Sequence, residues 1–283
     1  MNAVEVKNLK KQYKNFTLNI KKLEVKEGFI TGFIGPNGSG KTTTIKSIMN
    51  MTKCSDGEIL VFGENILENL KVKEDIAAVL DISGFLEESK VKNIKNSIRR
   101  FYSKWDEVLY SELINRFKIN EEAFYGKLSK GQKKLFELAL ALSRKPKILI
   151  MDEPTASLDP VVRSEFLEII QNQMIDGNLT VFYSTHVTTD LDKCADYIIL
   201  IYNGEIILYD EKDYILESHS IIKGKNELLD NETKKIFISI KKNDFGFEGL
   251  TSNRVEAYEI FGDEVVYQNP NLEDIMLYYT RGE

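Results

Sequence analysis

The sequence predicts an α/β fold with a parallel central sheet, and two features of its pattern support this. Apolar runs of strand length occur at residues 29–34, 148–151 and 179–183. The last two each follow a segment with the apolar spacing of a helix, and this alternation is typical of parallel sheets. The first runs directly into a glycine-rich turn, after which helical spacing begins at about Thr42.

Other segments predict elements around this centre. Two β-type runs near the start, residues 4–6 and 16–20, predict an N-terminal antiparallel β subdomain. A charged segment from about 83 to 131 has helical spacing and is interpreted as an inserted helical subdomain. Residues 197–201 and 205–209 flank Asn203 and Gly204, which predicts a hairpin. From 221 to 283 we expect a small α/β appendage with strands at 236–240 and 265–267 and a closing helix at 272–279.

Composition excludes several classes of protein. The chain has 283 residues, 42% of them hydrophobic, and a net charge of −6, which argues for a packed core and against non-specific binding of nucleic acid. We therefore expect no nucleic-acid partner. The apolar runs are shorter than the roughly 18 residues of a membrane helix, and the start lacks a signal-peptide pattern, so the cytosol is the expected compartment. Two cysteines and two histidines without ligand spacing predict neither a disulfide framework nor a zinc site.

Residues 35–42, GPNGSGKT, fit the phosphate-loop pattern G-x-x-x-x-G-K-[ST] between the predicted strand and helix. Glycines let backbone N–H groups surround phosphate oxygens, and the helix N-terminus adds partial positive charge. In this pattern Lys41 reaches the β- and γ-phosphates and Thr42 is a ligand of Mg²⁺. The pattern therefore predicts a site for nucleotide phosphates and Mg²⁺.

The apolar strand at 148–151 ends in two acidic residues, Asp152 and Glu153. Beside a phosphate loop, such a pair completes a nucleotide site. Asp152 is expected to hold Mg²⁺, directly or through water, and Glu153 to polarise the attacking water.

Three further short motifs occur in a fixed order. LSKGQ at residues 128–132 precedes this strand, SLD at 157–159 follows it, and STH at 184–186 ends the next strand. With these motifs the chain resembles the nucleotide-binding subunit of an ABC transporter over roughly residues 1–220. Lys130 departs from the family's usual LSGGQ, in which the third residue is glycine.

The resemblance implies a role for each motif. It implies an ATP-binding domain over 1–220 that pairs head to tail with a second ABC ATPase subunit, identical or related. His186 would contact the γ-phosphate and help position water, and Asp159 would bridge the two subunits. Tyr13 lies where the family has an aromatic residue that stacks on adenine, although plain packing also explains a tyrosine there. The residues expected at ATP are Tyr13, Gly35, Pro36, Asn37, Gly38, Ser39, Gly40, Lys41, Thr42 and Thr43, with Ser129, Gly131, Gln132 and Asp159 from the facing subunit.

One position departs from the family. A glutamine that touches Mg²⁺ usually follows the strand after the first helix, and here Asp81 follows the run 76–80. An Asp oxygen can bind Mg²⁺ but adds negative charge and has a shorter reach. The position can be functional with altered chemistry or merely structural. This feature resembles a bacterial branch of ABC-2-type exporter subunits that includes peptide-toxin and antibiotic exporters.

Two functions follow from the resemblance. The first is an ATP-hydrolysing subunit at the cytoplasmic face of the membrane that drives a separate integral-membrane permease, received by the helical subdomain. The second is an ABC ATPase that acts on ribosomes or DNA. Such proteins usually carry two nucleotide domains or a long coiled coil, and this chain shows one motif set and no heptads. The sequence therefore favours the transporter subunit.

Overall fold

A computed structural model describes residues 1–81, 84–156, 158–175 and 177–280. The strands are β1 (Asn2–Gln12), β2 (Thr17–Lys26), β3 (Ile30–Ile34), β4 (Asp56–Val61), β5 (Glu64–Asn65), β6 (Ile76–Val79), β7 (Ile148–Asp152), β8 (Thr180–Thr185), β9 (Tyr197–Tyr202), β10 (Glu205–Glu211), β11 (Ser220–Gly224), β12 (Phe237–Asn243), β13 (Gly246–Thr251) and β14 (Val266–Gln268). The α-helices are α1 (Lys41–Ile48), α2 (Val91–Arg99), α3 (Glu107–Arg116), α4 (Lys130–Leu142), α5 (Pro160–Met174), α6 (Thr188–Cys194), α7 (Lys212–Ser218), α8 (Arg254–Phe261) and α9 (Leu272–Thr280).

The central sheet has the strand order β10-β9-β3-β8-β7-β6. Its strands from β9 to β6 are parallel, and β10 is an antiparallel edge strand. The predicted parallel sheet is therefore confirmed. The predicted hairpin is also confirmed, since Tyr202 pairs with Glu205 around Asn203 and Gly204, both with positive φ.

The central sheet is buried on both faces. In β7, Ile148 and Ile150 belong to one hydrophobic cluster, while Leu149 and Met151 belong to the other. A strand covered on both faces needs a continuous apolar run rather than an alternating one, which explains the pattern in the sequence. The N-terminal sheet, in the order β2-β1-β4-β5, is antiparallel and packs in the same cluster as Ile148 and Ile150.

The predicted helical insert contains α2 and α3 and ends at the start of α4. α4 packs against α3 and β6, so the insert is anchored next to the central sheet. Ser83, where the insert was expected to begin, lies outside the described residues.

The C-terminal part forms a third antiparallel sheet, in the order β12-β13-β11-β14. The helix expected at 272–279 is confirmed as α9, and the expected strands match β12 and β14. One face of this sheet has its own small cluster, to which Ile222 and Phe247 belong. The other face joins the main core through Ile221 and Leu250. The expected division at 220/221 falls inside β11, one residue from its start.

Candidate functional site

Three neighbouring strands of the central sheet end at the same edge. β3 is followed by the glycine-rich loop, β7 ends in Asp152, and β8 ends in Thr185. Because β3, β8 and β7 are adjacent and parallel, the segments after them converge at their carboxyl ends, where α/β sheets bind ligands. The loop, Glu153 and His186 therefore meet at one place.

The glycine-rich loop needs its glycines at two positions. A Cβ on Gly35 would lie 2.3 Å from the carbonyl oxygen of Ile201, which leaves no room for a side chain. Gly40 has φ +115° at the N-cap of α1, a conformation that L side chains rarely adopt. These constraints hold the loop around the N-terminus of α1, where the first N–H groups have no helical partner.

Lys41 is the first residue of α1, and its side chain is buried. Its Nζ donates to the carbonyl oxygens of Gly35 at 2.6 Å and Pro36 at 3.2 Å, and lies 3.6 Å from Oε1 of Glu153. Burial lowers the pKa of Lys41, while the charges of Glu153 and Asp152 oppose that shift. The ammonium group is thus held inside the loop, where an entering phosphate would find a positive charge.

Asp152 is a buried carboxylate with two hydroxyl partners. Ser184 donates to its Oδ1 at 3.1 Å, and Thr42 also hydrogen-bonds to it. Burial raises the pKa of Asp152, and these two hydrogen bonds oppose the shift. The contact between Asp152 and Thr42 joins the end of β7 to the start of α1.

Glu153 and His186 form a close pair. His186 Nδ1 lies 2.8 Å from Glu153 Oε2, and the backbone N–H of His186 is 3.3 Å from the same oxygen. Glu153 has φ +48°, a left-handed conformation that costs on the order of 1 kcal/mol for a residue other than glycine. Such strain is typical of residues whose side chain must point in a set direction.

A cavity of about 520 Å³ opens beside these groups. Its walls bring together residues from distant parts of the sequence, namely Tyr13, Phe16, Asn37, Gly38, Gly40, Lys41, Thr42, Thr43, Asp81 and Glu153. Tyr13 is 45% exposed and its ring centre lies 6.3 Å from that of Phe16. The cavity wall thus combines two aromatic rings with the charged groups of Lys41, Asp81 and Glu153.

Two residues of the LSKGQ motif at 128–132 cap helix α4, and neither is part of the cavity wall. Ser129 is the N-cap of α4, and its hydroxyl accepts from the N–H of Gln132, whose side chain accepts from the Ser129 N–H in return. This capping box requires serine and glutamine at this spacing. A Cβ on Gly131 would lie 3.4 Å from Val162, at the start of α5.

Asp159 is the N-cap of α5, and its Oδ1 accepts from the N–H groups of Val161 and Val162. Because Gly131 lies next to Val162, the N-termini of α4 and α5 are neighbours. Ser157, in the same short motif as Asp159, lies outside the described residues.

The structure thus divides the residues expected from the sequence into two groups. Tyr13, Asp81, Glu153 and most of the loop line the cavity, while Asp152 and His186 are hydrogen-bonded to the wall residues Thr42 and Glu153. The loop residues Gly35, Pro36 and Ser39 are not part of the cavity wall. Within the described part of the chain, the cavity wall includes none of Ser129, Gly131, Gln132 and Asp159. Sequence reasoning missed Phe16 and the hydrogen bond from Ser184 to Asp152. Ser184, a polar residue at the end of an apolar strand, was the sequence signal for this hydrogen bond.

A larger cleft of about 710 Å³ lies at the opposite edge of the central sheet, before β7 and β8. Its cations are already paired, since Lys145 lies 2.8 Å from Asp106 and Lys147 lies 2.9 Å from Asp75. Volume alone therefore does not identify the site. The chemistry converges on the smaller cavity.

Comparison with known proteins finds a family match over the part of the chain that holds the glycine-rich loop, Asp152 and Glu153. Residues 18–156 match the family model described as ABC transporter. The tungstate uptake system ATP-binding protein TupC of Peptoclostridium acidaminophilum is 34% identical over 212 residues, which cover 72% of this chain and 96% of that protein. The bacitracin transport ATP-binding protein BcrA of Bacillus licheniformis is 33% identical over 198 residues, covering 65% of this chain and 61% of that protein.

Solved structures agree on the fold. A structure described as the ATP-binding subunit of an ABC transporter superposes with a TM-score of 0.69 at 25% identity, covering 76% of this chain and 92% of that one. In the described residues, no helix is long and apolar enough to cross a membrane.

Proposed function

Because the chain belongs to the ABC transporter family of ATP-binding proteins, whose members hydrolyse ATP to power transport, we propose that it works as one half of an ATP-driven pair. Two subunits close head to tail around two ATP molecules and drive a separate integral-membrane permease. The observation that carries this proposal is the convergence of Lys41, Glu153 and His186 at one edge of the central sheet.

Each of these three groups has a chemical task that its position supports. Lys41, held by loop carbonyls, offers a cation to the β- and γ-phosphates. Glu153 is the acceptor for the proton of an attacking water, and its left-handed backbone directs the carboxylate toward the cavity. His186 hydrogen-bonds to that carboxylate and positions it together with the water and the γ-phosphate. Tyr13 and Phe16 supply an aromatic wall for adenine.

The residues beside Lys41 fit a Mg²⁺ ion. The Thr42 hydroxyl and the Asp152 carboxylate are hard oxygen donors, and Asp152 is buried with its charge turned toward Thr42. Among the described residues no group of three or more His, Cys, Asp or Glu side chains could hold a metal by itself, which suits an ion that substrate phosphates help to bind. When bound, Mg²⁺ neutralises phosphate charge. Asp81 on the same wall is a further candidate ligand.

The second group of site residues fits a role across the subunit interface. Ser129 and Gly131 at the N-terminus of α4 lie beside the N-terminus of α5, which Asp159 caps. Two adjacent helix N-termini present N–H groups and partial positive charge, a combination suited to the γ-phosphate bound in a facing subunit. Lys130, exposed in the first turn of α4, adds a full positive charge to the same surface.

The helical insert is the proposed surface for the permease. Leu86 and Phe101 are 71% and 78% exposed near a groove of about 160 Å³ that lies beside α2 and α4. Contiguous exposed apolar patches mark contact surfaces, and we infer that these two side chains and the groove form such a patch. We place the protein at the cytoplasmic face of a bacterial membrane, with residues 1–220 as the ATP-binding domain, the helical subdomain at about 83–131, and 221–283 as an accessory domain.

Export of peptides or antibiotics is the proposed direction and cargo. It is supported by the resemblance of the Asp81 position to one exporter branch and by the named role of BcrA in bacitracin transport. TupC, by its name, belongs to an uptake system, so direction is a separate question from ATP hydrolysis.

The decisive experiment is Glu153→Gln. The amide cannot accept the proton of water, so we expect ATP hydrolysis by the purified chain to fall about 100-fold or more. ATP affinity should persist, and light scattering after gel filtration with ATP and Mg²⁺ should show dimers. Glu168→Gln is the matched control, because Glu168 is exposed on α5 and pairs with Arg116.

A variant that keeps its ATPase activity and does not accumulate as a dimer would overturn this mechanism. Purification from detergent-solubilised membranes tests the partner separately. A permease should accompany the chain, and recovery with ribosomes or DNA alone would favour the non-transport ATPase.

A further inference from the structure

A buried polar network lies directly behind Glu153 and His186. Thr155 donates to Oδ2 of Asp190 at 2.5 Å, and the hydroxyl of Tyr183 donates to the same oxygen at 3.0 Å. The Thr155 and Tyr183 hydroxyl oxygens are 2.7 Å apart. All three residues are at most 2% exposed. Burying such groups is costly unless they are bonded, so each member needs the other two in place.

The network joins the elements that carry the expected site residues. Thr155 follows Glu153 by two residues, Tyr183 precedes Thr185 on β8, and Asp190 lies in the first turn of α6 after His186. Arg163 in α5 adds a fourth connection, since its guanidinium donates to the Thr155 carbonyl oxygen at 3.3 Å and lies 3.9 Å from Asp190 Oδ1. α5 is the helix capped by Asp159. The loop after β7, strand β8 and helix α5 thus all contact one carboxylate, that of Asp190 in α6.

We propose that Asp190 is a positioning residue that fixes the distance between Glu153 and His186, and therefore the rate of hydrolysis rather than the affinity for ATP. This inference rests on the proposed function, in which those two residues act on the attacking water.

The geometry explains why such a tie is needed. Glu153 has a strained left-handed backbone that can persist only where its surroundings hold it. His186 lies in the short connection between β8 and α6, where its side chain contacts Glu153. The strand ends are also held together directly, because the Glu153 N–H donates to the Ser184 carbonyl oxygen at 2.9 Å and the Thr185 hydroxyl donates to the Glu153 carboxylate at 3.3 Å. The network adds a further tie, from the loop after Glu153 to α6, and losing it would let His186 shift relative to Glu153. A displacement of about 1 Å can cost a reaction about 100-fold in rate.

The phosphate loop approaches this network through Glu153. Lys41 is held mainly by the loop itself, because its Nζ donates to the carbonyl oxygens of Gly35 and Pro36 at 2.6 and 3.2 Å, whereas Glu153 lies 3.6 Å away. A change at Asp190 should therefore act mainly on the catalytic step. A merely structural role would instead reduce the fraction of folded protein and leave the turnover per folded molecule unchanged.

The test uses Asp190→Asn and Asp190→Ala in the full-length chain. Asparagine retains one acceptor oxygen, whereas alanine retains none, so we expect kcat to fall about tenfold in the alanine variant and less in the asparagine variant. KM for ATP, and the affinity measured with a fluorescent ATP analogue, should change less than about twofold. Asp192→Asn is the matched control on the same helix, because Asp192 interacts with the backbone N–H of Leu272 instead.

Two further variants keep the proposal testable if Asp190→Ala fails to fold. Tyr183→Phe and Thr155→Val each remove one hydroxyl with little change in shape, and with Asp190→Asn they form double-mutant cycles. Their effects on kcat should be clearly less than additive, because the three groups act as one unit. Unchanged kcat in folded Asp190→Asn and Asp190→Ala, alongside an inactive Glu153→Gln, would overturn the positioning role and leave the proposed function intact. An active Glu153→Gln would overturn the proposed function itself.

Discussion

The carboxyl edge of the central sheet and the C-terminal sheet bury different kinds of side chain. At the edge, buried polar groups are hydrogen-bonded, since Asp152 accepts from Ser184 and Asp190 accepts from Thr155. At the C-terminal sheet, the ring centres of Phe237 and Phe247 lie about 6 Å from each other and from that of Phe261 in α8. Aromatic clusters contribute mainly packing energy, whereas bonded polar groups fix directions. Under the proposed function, the difference separates a region that sets geometry for chemistry from one that contributes stability.

The largest effect on stability is expected in the aromatic cluster. Phe247 is 3% exposed, and Phe247→Ala should lower the free energy of unfolding by about 3–5 kcal/mol because it leaves a cavity. ATP hydrolysis per folded molecule should be retained, since none of the three rings lines the cavity beside Lys41 and Glu153. Denaturant unfolding and ATPase assays measure the two quantities.

Phe245→Ala is the control for this comparison. Phe245 lies two residues away on the same hairpin but is 95% exposed, so its loss should change stability by no more than about 0.5 kcal/mol. If folded Phe247→Ala loses hydrolysis while its ATP affinity is normal, the two regions are coupled and the distinction between them fails.

Much of the fold could be predicted because the relevant signals are local. The buried strands β7 and β8 and the hairpin at Asn203 follow from apolar runs and turn residues. β4, β13 and α8 were missed. β4 begins with exposed residues and is stabilised by pairing with β1, which is distant in sequence. Such pairing overrides weak local preference.

The candidate site could be predicted where a motif places its residues within one loop or at one strand end. The phosphate loop, Asp152 and Glu153 are of this kind. The network of Thr155, Tyr183 and Asp190 was not predicted, because its members come from the loop after β7, from β8 and from α6, and the local sequence of each does not show that they meet. Only the topology that makes β7 and β8 adjacent brings them together.

A medium effect is expected at Asp159, which caps α5 and is also expected at the interface between subunits. Asp159→Ala removes both cap bonds and should cost about 1 kcal/mol in the free energy of unfolding, whereas Asp159→Asn should restore most of it. Denaturant unfolding gives the stability, and light scattering with ATP gives the dimer. If Asp159→Asn is as stable as the native chain but dimerises poorly, the carboxylate has an interface role beyond the cap. Equal stability of Asp159→Ala and the native chain would contradict the capping role.

The smallest effect should be a pH dependence of the free energy of unfolding that arises from His219, which directly precedes β11 of the C-terminal sheet. His219 is buried at the end of α7, where Nδ1–H donates to the Ile215 carbonyl oxygen at 2.8 Å and Nε2 accepts from the Tyr279 hydroxyl at 2.9 Å. Burial lowers the pKa of His219 below its usual 6.5. As the pH falls below about 6.5, the unfolded chain therefore takes up a proton that the folded chain does not.

The free energy of unfolding should thus decrease between pH 7.5 and 5.5, and His219→Gln should lose less stability over that interval because it has no group to protonate. All other ionisable groups are present in both proteins, so the difference between the two slopes isolates the contribution of His219. Identical slopes in the native chain and His219→Gln would mean that the buried contact between α7 and α9 accepts a charged imidazole.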